Sequence, residues 1–215
     1  MVNKKVKRLL LSGGLLLSGS VMAYDFSYDN TLIAYLKLNE NVKPQDVVDG
    51  YMNMYRPTVW QKSHNDEFEM EDKRKETIDI IKKKISDMDL NKSFTIMTLL
   101  QFGDYDFSKK AFAFTPLTGN AYYHVDKCCY SGITNTVNVF FDNGDIVNGF
   151  PMSEDKAKQF LATRKDKQGS VNRRVFSVID FTMKESTEEN KIIGHINSVS
   201  VYDKEGGKLL QQYKG

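Results

Sequence analysis

The chain has 215 residues, with 30 lysine and arginine residues against 28 aspartate and glutamate residues. This length fits one domain of ordinary size, and the near balance of charge gives no support for a protein that binds nucleic acid through a basic surface. After the first segment there is no apolar run of the roughly 20 residues that a membrane-spanning helix needs.

The first 23 residues have the three regions of a secretory signal peptide. Four basic residues stand between positions 4 and 8, an apolar run occupies 9–17, and small residues of the kind found at cleavage sites end at Ala23. The apolar run is too short for a membrane anchor, and no cysteine lies near the cleavage site to carry a lipid. We therefore predict a soluble protein, periplasmic or secreted, that is cleaved after Ala23 and has a small negative charge.

Residues 24–91 are predicted to be mainly helical. Apolar residues at helical spacing indicate a first helix over Asp29–Leu38. A second helix is expected to open at Pro44, where the fixed φ of proline suits the first position, and to stop at Pro57. The tyrosines and methionines of the second helix are interpreted as core rather than as a ligand surface.

A third helix is predicted from a cap at Ser63 or Asn65 to Met88. Acidic residues crowd its first turns and lysines stand near its end, which complements the helix macrodipole. We interpret these charged blocks as a solvated face.

Residues 92–215 are predicted to be mainly antiparallel strands with one short helix after Ser153. The alternation of large and small residues from Lys92 to Pro116 indicates two strands that form a hairpin around the turn Gly103–Asp106. Asn143-Gly144 predicts a second hairpin, because both residues accept positive φ.

The final strands are expected to turn alternate residues toward the core. The inward positions are predicted to be Val175, Ile179, Phe181 and Met183, followed by Ile193, Val199 and Val201. Strands that follow one another through turns favour antiparallel pairing. The predicted fold is therefore a single α+β domain over residues 24–215, with N-terminal helices packed on one face of a mostly antiparallel sheet.

Three features together resemble an uncharacterised family of exported bacterial proteins, a domain of unknown function. They are the signal peptide, the segment Asn65-Asp66-Glu67-Phe68 at the start of a charged helix, and Gly103-Asp104-Tyr105-Asp106-Phe107 leading to Phe112. The similarity covers most of the mature chain. That family carries no assigned activity, so the resemblance implies export rather than a mechanism.

The two cysteines of the chain are neighbours, Cys128 and Cys129. Export favours disulfides, but adjacent residues close no long loop and form a strained ring. Four alternatives stay open. They are a vicinal disulfide, two thiols of which one is buried, a bridge to a second molecule, and a metal site that adds His124 and Asp126.

Aromatic residues flank the cysteines. Tyr122, Tyr123, His124 and Tyr130 are interpreted as a contact surface, because tyrosine is rigid and apolar with a polar tip. The alternative is that these rings cover the open end of the sheet.

No sequence motif assigns catalysis. His64 is interpreted as an exposed residue at a helix start and His195 as a hydrogen-bonded strand residue. Hydrolase elbows, phosphate-binding glycine loops and paired zinc histidines are missing from the sequence, and no cofactor or metal is predicted.

The leading hypothesis is a non-enzymatic binding or accessory protein of the cell envelope. Its partner would be an envelope protein or component of unspecified identity, bound by an edge strand or by the aromatic loop. The alternatives are a hydrolase whose catalytic residues are assembled in space, and a thiol- or metal-responsive protein that uses Cys128 and Cys129.

Overall fold

The computed structural model describes residues 23–186 and 188–215. Its helices are α1 (Tyr28–Leu38), α2 (Pro44–Tyr55), α3 (Pro57–Ser63), α4 (Glu67–Asp87) and α5 (Glu154–Ala162). Its strands are β1 (Tyr24–Asp25), β2 (Phe94–Gln101), β3 (Tyr105–Asp106), β4 (Ala111–Phe112), β5 (Tyr122–Asp126), β6 (Thr136–Phe141), β7 (Phe150–Pro151), β8 (Arg174–Glu185), β9 (Lys191–Tyr202) and β10 (Leu209–Lys214). Apart from Ala23, the predicted signal peptide lies outside the described residues, so its cleavage stays a prediction.

The first two helices begin where local signals place them. Ser27 precedes α1 with an extended backbone, and its hydroxyl accepts a hydrogen bond from the backbone N–H of Asn30 at 3.4 Å. Pro44 is the first residue of α2, a position where its missing N–H costs no helical hydrogen bond. Both helices predicted in this region are therefore present.

The region after α2 differs from the prediction. Pro57 ends α2 but also starts α3, because proline suits the first turn of a helix as well as it terminates one. The cap of α4 is Asp66 rather than Ser63 or Asn65, since its carboxylate accepts hydrogen bonds from the N–H groups of Phe68 and Glu69 at 3.0 and 2.9 Å. None of the helices in residues 23–186 and 188–215 has the length and apolar character of a membrane span.

The main sheet is mixed. Its strand order is β1-β2-β8-β9-β6-β5, with β10 also paired to β9. The β1–β2 and β6–β9 pairings are parallel, and the other four are antiparallel. The α+β class is confirmed, but the sheet that was predicted to be mostly antiparallel is a mixed one, with two parallel pairings among six. The segment between β6 and β9 contains α5 and β8, which gives the long crossover that a parallel pair requires.

The predicted central hairpin is wrong. β2 pairs along its whole length with β8 rather than with the return segment, and Leu100 stands opposite Val175. The return segment contributes β4, which lies between β3 and β7 in a separate three-stranded sheet. The apolar parity of β2 is nevertheless as predicted, with Phe94, Ile96 and Leu100 buried. Alternation identifies a strand and its inward face but not its partner.

The predicted hairpin at Asn143-Gly144 is also wrong. These residues begin a short 3-10 turn, Gly144–Ile146, instead of a return strand. Asn143 bonds through its side chain to the backbone N–H and C=O of Ile196, at 2.8 and 3.0 Å. Gly144 is required for a different reason from the one predicted, because a Cβ atom there would collide with the carbonyl group of Leu117.

A bulge in β9 changes which of its residues face the core. Phe181 of β8 stands opposite Ile196, whereas its neighbour Asp180 stands opposite Ser198, so Asn197 is the extra residue. Val199 and Val201 are buried as predicted. Ile193 is only partly buried, and Ile192 takes the inward position in its place, because a bulge reverses the parity on one side of it.

The core lies between α1 and the main sheet. α1 contacts β5, β6, β8 and β9, while α4 packs against α1, α2 and α3. A second group of rings, those of Phe102, Phe112, Phe150 and Phe160, joins the small sheet and α5 to the same core, with neighbouring centroids about 5 to 6 Å apart. This packing leaves β5 at one end of the main sheet.

Candidate functional site

The candidate site begins on β5, which pairs with β6 alone among the described strands. Its alternate residues Tyr122, His124 and Asp126 are exposed. The side chain of Tyr122 is 52% exposed, and its ring lies 5.2 Å from that of Phe140 on β6 and 6.2 Å from the imidazole of His124. An aromatic ring and an imidazole therefore stand side by side on the outer face of an edge strand.

The four residues of the predicted contact surface do not all lie on one surface in the structure. Tyr123 lies on the opposite face of β5, where its ring packs 6.1 Å from Phe141, and burial raises the pKa of its phenol to about 12. Tyr130 is partly buried against the core. Only Tyr122 and His124 are brought together at the surface, because successive strand residues face opposite sides.

The cysteine pair directly follows β5. Cys128 and Cys129 are both exposed, and their sulfur atoms lie against each other. The alternative in which one thiol is buried therefore does not fit. Cys129 has a φ of 120°, a backbone conformation that residues other than glycine rarely adopt and that the surrounding structure must hold in place.

Asn135 provides that support. Its Oδ1 accepts hydrogen bonds from the N–H groups of Tyr130 at 3.0 Å and Cys129 at 3.4 Å, and its Nδ2 donates to the carbonyl of Tyr130 at 2.8 Å. Its own carbonyl accepts from the N–H of Lys127 at 2.9 Å. One side chain thus closes the loop formed by residues 127–135, here called the cysteine loop. The sequence analysis missed this role, although asparagine is a residue that commonly replaces backbone partners in loops.

The cysteine loop is also held by ionic and phenolic groups of α1 and α2. The Nζ of Lys127 lies 3.2 Å from Oδ1 of Asp29, which also accepts a hydrogen bond from the Tyr55 hydroxyl at 2.6 Å. Lys127 lies 4.4 Å from the centre of the Tyr55 ring. Burial tends to raise the pKa of Asp29, but the hydrogen bonds from Tyr55 and Lys127 outweigh it and hold that pKa below its usual value.

Backbone contact adds to this attachment. A Cβ atom at Gly50 of α2 would lie 2.7 Å from the carbonyl carbon of Gly132, the Cβ of Ile133 and the carbonyl oxygen of Ser131. The hydroxyl of Tyr28 donates a hydrogen bond to the carbonyl of Thr134. α1 and α2 therefore fix the cysteine loop closely, and only glycine at position 50 permits the observed distance.

An open pocket of about 700 Å³ lies over the outer face of β5 and β6 and the cysteine loop. Its lining residues are Tyr122, His124, Asp126, Cys128, Cys129, Asn135, Thr136 and Asn138. They offer one ring, one imidazole, one carboxylate, amides and sulfur, a set suited to hydrogen bonding and stacking. In the part of the chain that the structure describes, no group of three His, Cys, Asp or Glu side chains is placed to hold a metal ion.

The other two histidines lie elsewhere. His64 directly follows α3 as its C-terminal cap, and its ring lies parallel to that of Trp60 at 6.5 Å. The next helix is capped by Asp66, so His64 is not at its start. His195 forms a bond of 2.8 Å from Nδ1 to Asp142, a pair that the sequence analysis missed because the two residues are far apart in the chain.

Among the described residues, no nucleophile stands on the other side of the pair formed by His195 and Asp142. Nε2 of His195 faces the amide of Asn143 at 3.4 Å. Thr182 stands opposite His195 in the sheet, but its hydroxyl is buried and makes no hydrogen bond with a described residue. Nothing in these contacts activates a hydroxyl or thiol group.

Residues 43–163 match the family described as Domain of unknown function (DUF4852), and this segment is more than half of the chain. The chain belongs to this family. The DUF4852 segment extends from the residue before α2 to the residue after α5, so it contains β5, β6 and the whole cysteine loop. Strands β8, β9 and β10 lie beyond it. No curated protein and no solved structure matches the chain.

Proposed function

We propose that this DUF4852 protein is an exported bacterial protein of the cell envelope that binds a partner without catalysing a reaction. The contact surface would consist of Tyr122 and His124 on β5 together with the cysteine loop. The partner would be another envelope protein or component.

One observation carries this proposal, the exposure of Tyr122 beside His124 on an edge strand. Tyrosine is favoured at protein interfaces because it adds a large contact area at a small cost in side-chain entropy. An edge strand also has unpaired backbone groups that a peptide strand can join. The attachment of the cysteine loop to α1 and α2 supports the proposal further, since a rigid surface loses little entropy on binding.

The proposal includes the arrangement of the helices. We infer that the N-terminal helices cover one face of the main sheet, which would leave the edge at β5 for the partner. The contacts of α1 with four strands support this arrangement.

A thiol-responsive role is a second candidate, favoured by the exposure and adjacency of Cys128 and Cys129. We propose that they form a vicinal disulfide in the exported protein. Its reduction by an external dithiol would take up two electrons and two protons and give two thiols. Because both cysteines line the same pocket as Tyr122, this change would alter the proposed contact surface.

The binding function is tested by crosslinking at single positions. A photoreactive amino acid replaces Tyr122, and intact cells are irradiated before the envelope is analysed by mass spectrometry. We expect a discrete covalent adduct with one envelope component, because this side chain points outward.

Position 123 is the matched control. It is adjacent in sequence but inward-facing, so it should give no intermolecular adduct. Failure to obtain an adduct at 122, or the same adducts at 122 and 123, would contradict the proposed surface.

A further inference from the structure

The main sheet has an exposed apolar area on strands β2, β8, β9 and β10, which do not contribute to the candidate site. One row across four strands consists of Leu99, Phe176, Tyr202 and Leu209, each opposite the next. The adjacent row includes Met97 opposite Val178. Met97, Leu99 and Leu209 are 68%, 57% and 47% exposed, values that are unusual for large apolar side chains. We call these six residues the apolar rows.

A basic groove of about 1470 Å³ borders the apolar rows. It lies between α5, the start of β10 and the segment at residues 109–110. Seven basic residues line it against two carboxylates, those of Asp166 and Asp203, and the seven are Lys109, Lys110, Lys156, Arg164, Lys165, Lys204 and Lys208. An excess of five positive charges is therefore concentrated in one groove of a chain whose total charge is nearly balanced.

The two carboxylates of the groove are used by the backbone. Asp166 accepts hydrogen bonds from the N–H groups of Gln168 and Ser170, at 2.9 and 2.8 Å. Asp203 accepts from those of Lys204 and Lys208, at 2.9 and 2.7 Å. Both acids thus shape turns rather than pair with lysine side chains.

The lysines of the groove remain available to a ligand. Lys109 lies 3.9 Å from Asp106, whereas the other five lysines form no ion pair with any residue that the structure describes. Arg164 has a structural role, because its guanidinium donates to the carbonyls of Arg174 and Asp203 and stacks on Phe160 at 4.2 Å. The groove therefore has a wall fixed by Arg164 and, along it, five lysines that have no ion pair with a described residue.

The groove and the apolar rows form one continuous surface. Leu209 belongs to both, and Tyr202 immediately precedes the turn that bears Lys204 and Lys208. Arg174 stands opposite Gln101 at the same end of the rows. At the other end the face becomes polar, with Thr95 opposite Asp180. Along the strands the surface thus changes from polar to apolar to basic.

We propose that this surface binds peripherally to a membrane containing anionic phospholipids. The apolar rows enter the interfacial region of the bilayer, and the lysines of the groove contact the phosphate groups. This combination is the one that interfacial binding requires, apolar area beside a cluster of cations. A soluble polyanion would leave the apolar rows without a role, and a second copy of the chain would bring like charges together. The surface shares no residue with the candidate site, so the inference stands apart from the proposed binding function.

Vesicle co-sedimentation of the purified protein tests the inference. Vesicles of phosphatidylcholine alone are compared with vesicles that also contain phosphatidylglycerol. We expect about tenfold tighter binding to the anionic vesicles at low salt, and loss of most of that difference at about 0.5 M salt. Equal binding to both kinds of vesicle would overturn the proposal.

Three variants separate the effect of charge from that of apolar contact. The double variant Lys204→Glu with Lys208→Glu should lose about tenfold in affinity for anionic vesicles. The double variant Lys62→Glu with Lys82→Glu makes the same charge change on α3 and α4 and should bind within about threefold of the wild type. Leu99→Gln should also weaken binding, since it removes an exposed apolar side chain without disturbing the core.

The remaining outcomes would contradict a lipid site. Equal losses in the two lysine variants would show a general charge effect. If inositol hexakisphosphate displaces the protein completely and Leu99→Gln binds normally, the groove serves a soluble anion. Self-association that Leu99→Gln abolishes would show that the apolar rows pair two copies of the chain.

Discussion

At the scale of single residues, Asn135 decides the form of the cysteine loop. Its side chain makes hydrogen bonds to the backbones of Cys129 and Tyr130, and one of these residues has positive φ. Cys128 and Cys129 are both exposed, so apolar packing of their side chains contributes little to holding this conformation. The amide group of Asn135 is therefore the main local support of the backbone at Cys129.

We expect Asn135→Ala to lower the free energy of unfolding by about 1–3 kcal/mol, because it leaves partly buried backbone groups without partners. Urea denaturation measures this change. Asn138→Ala is the matched control, since Asn138 lines the same pocket and its side chain makes no hydrogen bond to another described residue. The control should change stability by less than about 0.5 kcal/mol. Equal effects of the two substitutions would show that Asn135 has no special role.

The sequence was most informative where the determining interaction is local. Pro44 and Ser153 predicted helix starts correctly, because the preference of proline for the first helical position and of serine for the position before it is local. The partner of β2 could not be predicted, since β8 follows more than 70 residues later. The two-residue period of a strand already implies that Tyr122 and Tyr123 face opposite sides, whereas the prediction placed both in one contact surface. The contact of Lys127 with Asp29 spans 98 residues and had no local signal.

At the scale of elements, the first two helices and the cysteine loop form one unit. Tyr28 of α1 and Tyr51 and Tyr55 of α2 lie in this region, and burial, reinforced by the charge of Asp29, raises the pKa of each. The value is about 12 for Tyr28 and for Tyr51. Neutral phenols are therefore part of the folded unit.

This unit should become less stable toward unfolding at alkaline pH. In the unfolded chain a tyrosine ionises near pH 10, whereas folded Tyr51 stays neutral until about pH 12. Because the folded pKa is the higher one, its contribution to stability is complete below pH 10 and is lost as the pH rises from 10 to 12. Tyr51→Phe removes one titrating group, so the variant should lose less stability than the wild type over this range.

Urea denaturation of the wild type and of Tyr51→Phe at about pH 8, 10 and 11.5 measures how Tyr51 contributes to the free energy of unfolding. The difference in free energy of unfolding between wild type and variant should be constant below pH 10. Above pH 10 it should shift in favour of the variant. Parallel curves for the two proteins over the whole range would contradict the assignment.

At the scale of the whole molecule, the two proposed surfaces lie on different strands of the main sheet. The β5 face and the cysteine loop lie within the DUF4852 segment, whereas the apolar rows are completed by strands beyond it. We therefore propose that the family segment provides the partner-binding surface and that the C-terminal strands add the membrane-binding one. Both proposed roles are set in the cell envelope, so both proposals require that the chain is exported.

The proposed export also bears on the cysteines, since a vicinal disulfide is expected only in an oxidising compartment. The most direct measurement is the intact mass of the protein recovered from the envelope fraction, taken without reducing agent after the free thiols have been alkylated. The account predicts a chain that begins at Tyr24, carries no alkyl group and is two hydrogen atoms lighter than the dithiol. A chain that retains Met1 and is recovered from the cytosol with both cysteines alkylated would contradict it.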